Sequence, residues 1–522
     1  MNYRFVLQQL GLLALVLAGA MAANVAGMVL LAGEGLRSPA VVALSTSAGI
    51  VGALGFSVQA LSRTRGSETL GRREALLLVG STWLLGAVGA ALPFYLWALF
   101  SHGMDEAHAF VSPAACYFEA MSGLTTTGAT VVANVDHLPQ PLLLWRSLTQ
   151  WMGGLGIVVL FVAVLPSLGV GGKRLFAAET TGPTKQGVRP QVRDTARVLW
   201  LIYAGLTGAL VVIFWLLGMG WYDALDNALS TTASGGFSTR NASIGYFESW
   251  KIDLVTVVFM FMAGVNFGLY YRLSRGDVAS VVKDRELWWY LGIVGVATVL
   301  VMVVLLGHTL VTTAGYEVPR PEAQAAGQEG VGLAAAFRYA SFAVVSVQTT
   351  TGFATADWEP WPFAAKAVLI AVMFVGGMAG STAGGIKVVR IVVMVKVLMT
   401  EVGRVFRPAK VRPVRVGESA VSAEMRQATL AYVLIVGLLW AVGTVGLMVL
   451  EPAGSLDFGT AASASVATVN NIGPGMGAVG PMGNYGLFSS PSLLLMSLLM
   501  ALGRLELFAV LVLIAPSFWR RA

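Results

Sequence analysis

Apolar runs long enough to cross a bilayer recur along the whole chain, and they dictate the class of fold. One helical crossing needs about 20 largely apolar residues. Such runs cover 5–31, 39–61, 74–100, 141–166, 195–219, 252–271, 288–314, 364–398, 427–450 and 491–515. Of the 522 residues, 56% are hydrophobic and only 12% are charged, against about 25% charged in a soluble domain. A soluble protein of this length has too much surface to cover with so few polar groups. A disordered chain is excluded by the same hydrophobicity. A secreted disulfide scaffold is excluded because Cys116 stands alone; it reads as a small packing residue. The first run is too long for a signal peptide and lacks a clear cleavage site. The expectation is an all-α polytopic membrane protein of about ten transmembrane spans.

The net charge of +7 does not imply nucleic acid, since basic residues collect in cytoplasmic loops of membrane proteins. If the ten runs alternate, one face receives Arg63, Arg65, Arg72 and Arg73, then Lys173, Arg174, Lys185, Arg189, Arg193 and Arg197. The same face receives Arg272, Arg275, Lys283 and Arg285, then Arg404, Arg407, Lys410, Arg412 and Arg415, and the final Arg520 and Arg521. The opposite face receives Asp105, Glu106, Asp136, Glu248, Glu317, Glu322, Glu329, Asp357, Glu359, Glu451 and Asp457. Both termini are therefore expected in the cytoplasm. Trp145, Trp151, Trp288, Trp289, Trp358 and Trp361 fall near run ends, as interfacial aromatic belts do.

Four apolar segments, about 112–124, 222–233, 334–348 and 456–470, are too short to cross. Ser112 and Pro113 form a cap and first-turn pair for the first of them. Each segment ends in a cluster of small polar residues: Thr125 to Thr130, Thr232 to Phe237, Thr349 to Phe353, and Asn470 to Gly475. Taking Gly128, Gly235, Gly352 and Gly473 as equivalent, the spacings are 107, 117 and 121 residues. One unit then recurs four times as span, short re-entrant helix, hairpin and span, after two additional N-terminal spans. The divisions fall at 1–65 for the extra spans, then 66–172, 173–276, 277–410 and 411–522 for the four repeats. Small residues often mark close helix packing, but four clusters in register exceed what packing alone asks for.

Non-helical backbone at membrane depth persists only where it is buried in protein or lines water. A short helix entering from outside directs its partly negative C-terminal end at the membrane centre. The extended residues beyond it can turn carbonyls inward and replace the hydration shell of a cation. The candidate ion-binding residues are Thr126, Thr127 and Gly128; Ala233, Ser234 and Gly235; Thr350, Thr351 and Gly352; and Asn471, Ile472 and Gly473.

Two oddities lie elsewhere. The run 364–398 is interrupted between Gly376 and Gly385, with Gly376, Gly377, Gly380, Gly384 and Gly385 in ten residues. At ~1 kcal/mol each relative to alanine, five glycines cannot hold a regular helix. It is not a phosphate loop, because Ile386 separates Gly385 from Lys387 and no strand precedes it. A flexible break facing the cavity below the clusters is expected, with Lys387 and Arg390 as interfacial residues. Arg504 and Glu506 sit in the middle of the last run, where a charge is costly and faces the bundle interior. A structural ion pair is the alternative for Arg504, and Glu506, two residues on, is expected to point away and receives no role. Glu119 and Arg338, on short helices, read as anchors behind the clusters. His102, His108, His137 and His308 form no metal pair, and no transition-metal site is expected.

On these clusters the chain resembles the potassium-translocating subunits of the Trk/Ktr/HKT superfamily, closest to the bacterial TrkH/TrkG type. Asn266 to Leu269, Gly384 to Lys387 and Gly235 to Thr239 add to the likeness, as do the two extra N-terminal spans. The resemblance implies four repeats around one pore in the inner membrane, K+ as bound and transported ion with Rb+ as surrogate, and a homodimer. It also implies a cytoplasmic ring of nucleotide-binding TrkA-type subunits. It makes Gly376 to Gly385 an intramembrane gating loop, with Arg504 beside it. Two rivals stay open. An ion-coupled secondary transporter, a K+/H+ or K+/Na+ symporter, uses broken helices at the midplane and asks for an intramembrane carboxylate, which the clusters lack. A multipass enzyme needs clustered His, Asp, Ser or Cys inside the spans, and the lack of in-membrane histidine and the lone Cys116 argue against it. No enzymatic activity, cofactor or nucleic-acid partner is expected.

Overall fold

The computed structural model describes residues 1–62, 71–101, 109–163, 188–318, 330–406, 413–416 and 419–520. Lys173, Arg174, Lys185, Arg407, Lys410 and Arg412 lie outside the described residues, as do Arg63, Arg65, Asp105, Glu106, Glu322, Glu329, Arg521, His102 and His108. The described chain is mostly helical. Six helices are long and apolar enough to cross a membrane: Tyr3–Leu31, Pro39–Leu61, Arg73–Phe100, Ala196–Leu216, Arg285–Leu305 and Ala423–Leu450. Trp250–Ala263 with Phe267–Ser274 makes a seventh when the pair, bent by 94°, is taken as one span.

The remaining expected runs differ from simple spans for a local reason. Run 364–398 is two helices, Phe363–Met373 and Val388–Phe406, on either side of the glycine-rich break. Run 491–515 is Ser490–Arg504 followed by Phe508–Ile514, and Glu506 and Leu507 between them take positive φ of 54° and 62°. The helix Gln140–Ala163 covers most of run 141–166.

The four half-length helices are present as Pro113–Leu124, Trp221–Ala233, Leu333–Gln348 and Phe458–Val469. Asp457 caps the fourth by accepting from the Thr460 amide at 2.9 Å. At the first, Pro113 occupies the opening turn, but the Ser112 hydroxyl makes no capping bond and meets Ser490 Oγ at 3.2 Å. Small residues let backbones approach. A Cβ on Gly11 would meet the Gly55 carbonyl at 2.8 Å, and one on Gly55 would meet the Gly11 carbonyl at 2.9 Å. The two N-terminal helices therefore cross in contact at this glycine pair. At one end of the molecule Met1 and Arg520 meet the start of the third helix: the Met1 ammonium lies 3.8 Å from Glu74, and Arg73 donates to the Arg520 carbonyl at 3.0 Å. A small antiparallel sheet of Leu310–Thr312, Glu317–Val318 and Ala356–Asp357 pairs Leu310 with Val318 and Val311 with Asp357.

Candidate functional site

All four short helices end in the same bend. The residues Thr126, Ser234, Thr350 and Asn471 hold φ of 52°, 55°, 56° and 56°. Non-glycine residues in that region cost about 1 kcal/mol or more and persist only where the surroundings fix them. The next residue folds back onto its helix: Thr127 N–H donates to Ser122 at 2.8 Å, Gly235 to Ser230 at 2.9 Å, Thr351 to Ser346 at 2.9 Å and Ile472 to Ala467 at 2.8 Å. A glycine with φ of 84°, 82°, 82° and 96° follows at Gly128, Gly236, Gly352 and Gly473. The second hairpin is thus one residue out of the expected register. Gly236, not Gly235, is the counterpart of Gly128, and Ala233 is still the last residue of its helix. A sequence containing two adjacent glycines does not say which one takes the positive φ.

The four bends meet. A Cβ on Gly128 would run into the carbonyl oxygen of Gly235, one on Gly236 into that of Thr351, and one on Gly352 into that of Ile472. The series closes with Gly473, whose Cβ would lie 2.7 Å from the Thr127 carbonyl oxygen. Each bend therefore has glycine where the neighbouring strand's carbonyl comes closest, and four carbonyls share one ring of contacts. A cavity on one side of the ring is lined by Gly128, Gly236, Gly352 and Gly473 together.

The strands are braced from behind. Thr127 and Thr351 hydroxyls pair with Thr125 and Thr349, both at 2.8 Å. Asn471 Nδ2 donates to Thr127 Oγ1 at 3.0 Å and to the Met500 carbonyl at 2.9 Å. Glu119, fully buried, accepts from Arg146 Nε at 2.8 Å, Thr130 Oγ1 at 2.9 Å and Val131 N at 3.0 Å. Arg146 also lies 4.0 Å over the Phe237 ring. Arg338 pairs with Asp253 at 2.7 Å. The anchoring expected of Glu119 and Arg338 has these contacts as its geometry. Cys116 is buried and donates to the Phe110 carbonyl at 3.1 Å.

The glycine-rich break lies against the ends of three short helices. Thr382 Oγ1 lies 3.2 Å from the Thr232 carbonyl, 3.1 Å from the Ala263 carbonyl and 2.9 Å from Ser234 Oγ. Gly384 N–H donates to Thr350 Oγ1 at 2.6 Å, and a Cβ on Gly384 would meet the Asn470 carbonyl at 2.6 Å. The two arms of the break join where Gly376 N–H donates to Ile386 at 2.9 Å. Gly377 sits 2.8 Å, from its would-be Cβ, from the Gly264 carbonyl, and Phe267 N–H donates to the Gly380 carbonyl at 3.1 Å. Gly385 turns with φ of 67°. Glu286 holds both sides of the break, with Oε1 accepting from Ala379 N at 2.8 Å and Val389 N at 3.2 Å.

Arg504 is buried and aimed at this break. Its Nη1 donates to the Thr382 carbonyl at 2.6 Å and its Nη2 to the Gly153 carbonyl at 3.4 Å. Among the described residues no carboxylate pairs with it. Lys387 and Arg390, expected as interfacial residues, both make contacts within the protein. Lys387 is 5% exposed and donates to the Ala383 carbonyl, and Arg390 forms an ion pair with Glu506 while stacking 3.9 Å over Tyr432. Glu506 thus has a partner, reached because the chain leaves the helix after Arg504. Gln150, Thr382 and Glu286 are the site residues that sequence reasoning missed. The available signal was the polar stretch Arg146, Ser147, Thr149 and Gln150 inside a run otherwise apolar enough to cross a membrane.

The family model for TrkH, described as a cation transport protein, matches residues 45–521. The chain belongs to the TrkH family. This TrkH-family chain is 37% identical over 524 residues to the Trk system potassium uptake protein TrkH of Halomonas elongata, covering all of both proteins. It is 35% identical over 528 residues to TrkH of Escherichia coli K12, again over the whole of both. TrkG of the same organism is 32% identical over 453 residues, 86% of each chain. The crystal structure of the potassium transporter TrkH from Vibrio parahaemolyticus superposes with a TM-score of 0.85 at 32% identity, covering all of both chains. These relatives are named for transport, not for an enzymatic reaction.

Proposed function

We propose that this chain is a potassium-selective, channel-like uptake protein of a bacterial inner membrane. One observation carries the reading: four glycine bends approach one another's preceding carbonyls in a closed series. Carbonyls gathered in this way substitute for the hydration shell of a cation without burying a fixed charge. The relatives' names supply the ion, K+. On this reading the chain is four pseudo-repeats around one pore behind two extra spans, ten spans in all, with both termini and the Arg73–Arg520 contact in the cytoplasm. The filter is Thr126 to Gly128, Ser234 to Gly236, Thr350 to Gly352 and Asn471 to Gly473. The break from Gly376 to Gly385 is the gate, and Arg504 adds a positive charge beneath the filter.

Rb+ uptake into liposomes holding the purified protein, with K+, Na+ and Cs+ as competitors, tests this directly. Uptake that K+ suppresses far better than Na+ is expected; no uptake, or equal suppression, overturns it. A homodimer and a cytoplasmic nucleotide-binding ring of the TrkA type belong to the same proposal. The ring docks on the basic face that includes Arg404 and Arg415. Neutralising arginines 404, 407, 412 and 415 should weaken co-purification with the ring, and full retention removes that face from the interface.

A coupled reading has one observation in its favour. Asp226, on the second short helix, is buried, accepts from Ser147 Oγ at 2.8 Å, and has its other oxygen without a partner among the described residues. Uptake that responds to a pH gradient at fixed membrane potential, and loses that response in Asp226→Asn, favours symport.

A further inference from the structure

The second hairpin differs from the first and third at one position. Thr127 and Thr351 brace their own strands through hydroxyl bonds to Thr125 and Thr349. Their counterpart, Gly235, has no side chain, yet its φ is not among the positive ones. Glycine is therefore not required there by backbone conformation. It is required for room, because a Cβ on Gly235 would run into the carboxamide of Gln150 and lie 2.9 Å from Gln150 Cβ.

Gln150 comes from another element, the helix Gln140–Ala163, and is fully buried. Its Nε2 donates to the Gly235 carbonyl at 2.6 Å. Its Oε1 accepts from Ser230 Oγ at 2.7 Å and from Phe237 N at 3.2 Å. The partners fix which end of the amide is which: a backbone N–H can only donate and a carbonyl can only accept, so the nitrogen must face Gly235. The carbonyl it holds is the one that approaches Gly128 in the ring.

We propose that Gln150 is a specificity-determining positioning residue, which supplies from a neighbouring helix the brace that threonine supplies in the first and third strands. The inference rests on the pore reading above. A carbonyl that already accepts a hydrogen bond is fixed in direction and has less lone-pair density to offer a cation. The ring then holds one carbonyl of lower field strength than its neighbours, and field strength and geometry together decide between K+ and Na+.

Two variants test this in the liposome assay, each with thermal unfolding measured in detergent. Gln150→Leu keeps the bulk but removes all three bonds, and it should lower the K+ over Na+ preference about five- to tenfold, the scale of one or two lost neutral hydrogen bonds. Gln150→Gly combined with Ala233→Thr and Gly235→Thr gives the second strand the hydroxyl pair of the first and third and should recover much of that preference. A merely structural Gln150 predicts lower thermal stability and lower total uptake at an unchanged ion ratio, and that result overturns the proposal. Should the leucine variant not reach the membrane, Gln150→Met, which also lacks the three bonds, is read in its place, and an unchanged ratio there overturns the proposal. If the unmodified protein discriminates between the ions and the leucine or methionine variant does so equally well, only the role of Gln150 falls. If the unmodified protein takes up no Rb+, the pore reading itself fails.

Discussion

Arg504 and Thr382 are joined by a 2.6 Å hydrogen bond, guanidinium to carbonyl, which ties the last long helix to the glycine-rich break. Thr382 in turn touches Ser234 at the end of the second short helix. One short path therefore runs from a buried positive charge, through the break, to a residue of the ring.

Removing Arg504 should open the path for ions. At an effective dielectric near 20, two unit charges about 4 Å apart interact by about 4 kcal/mol, and proportionally less farther apart, so a fixed positive charge beside the ion path raises the energy of a passing cation. Arg504→Ala is expected to raise Rb+ uptake at least about tenfold at unchanged ion preference. Because no carboxylate pairs with Arg504 among the described residues, the substitution leaves no orphaned countercharge. Thermal stability should fall only by the loss of the hydrogen bonds to the Thr382 and Gly153 carbonyls, at most about 1–3 kcal/mol each. A variant that is much less stable and no more conductive would contradict the gating role.

The register shift in the second hairpin separates two adjacent glycines. Gly128→Ser and Gly236→Ser each put a side chain at positive φ and into a neighbouring strand's carbonyl. Both should weaken the preference for K+ by about tenfold or more, given a strain of about 1–3 kcal/mol at such sites. Competition by Na+ in Rb+ uptake reads this out. Retained selectivity in Gly236→Ser, with normal membrane levels, would argue that Gly236 is not part of the filter.

Glu286 is expected to stabilise the closed arrangement of the break. Glu286→Ala leaves the Ala379 and Val389 amides without their acceptor, at about 1–3 kcal/mol each if they stay buried. Uptake should rise several-fold, with ion preference intact and faster amide hydrogen exchange across 376–389. Glu286→Gln keeps an acceptor oxygen and should fall between the two. No change in uptake or exchange in the alanine variant would separate Glu286 from gating.

Asp457 gives the fold a pH dependence. Its carboxylate is held below the ordinary aspartate value by the Thr460 side-chain hydroxyl and amide. A depressed value in the folded state means the stabilisation is present above the unfolded value of about 4 and is lost as pH falls through the folded one. Asp457→Ala should cost about 1 kcal/mol at neutral pH, the size of a lost N-cap, and less as pH falls to about 3 and below. Exposure and salt keep the effect small, so unfolding curves at low ionic strength are the measurement. Equal cost at both pH values would show that charge is not involved.

Periodicity and composition alone determined the membrane class, the four short helices and the break at 376–385, since each depends on local rules: about 20 apolar residues for a crossing, and glycine against helix. Each short helix ends within a residue or two of its expected position. Other features were decided in three dimensions. Gly235 and Gly236 are chemically identical, and only the folded bend, with Ser234 at positive φ and Gly235 hydrogen-bonded back to Ser230, leaves the turn to Gly236. Glu506 was expected to point away from Arg504 on a continuous helix and received no role, but the chain leaves helical geometry after Arg504 and delivers it to Arg390. Gln150, Glu286 and Thr382 act on backbone groups 85, 93 and 119 residues away. A hydrogen bond between groups so far apart in the chain leaves no periodic trace in the sequence, because it depends only on where folding brings them.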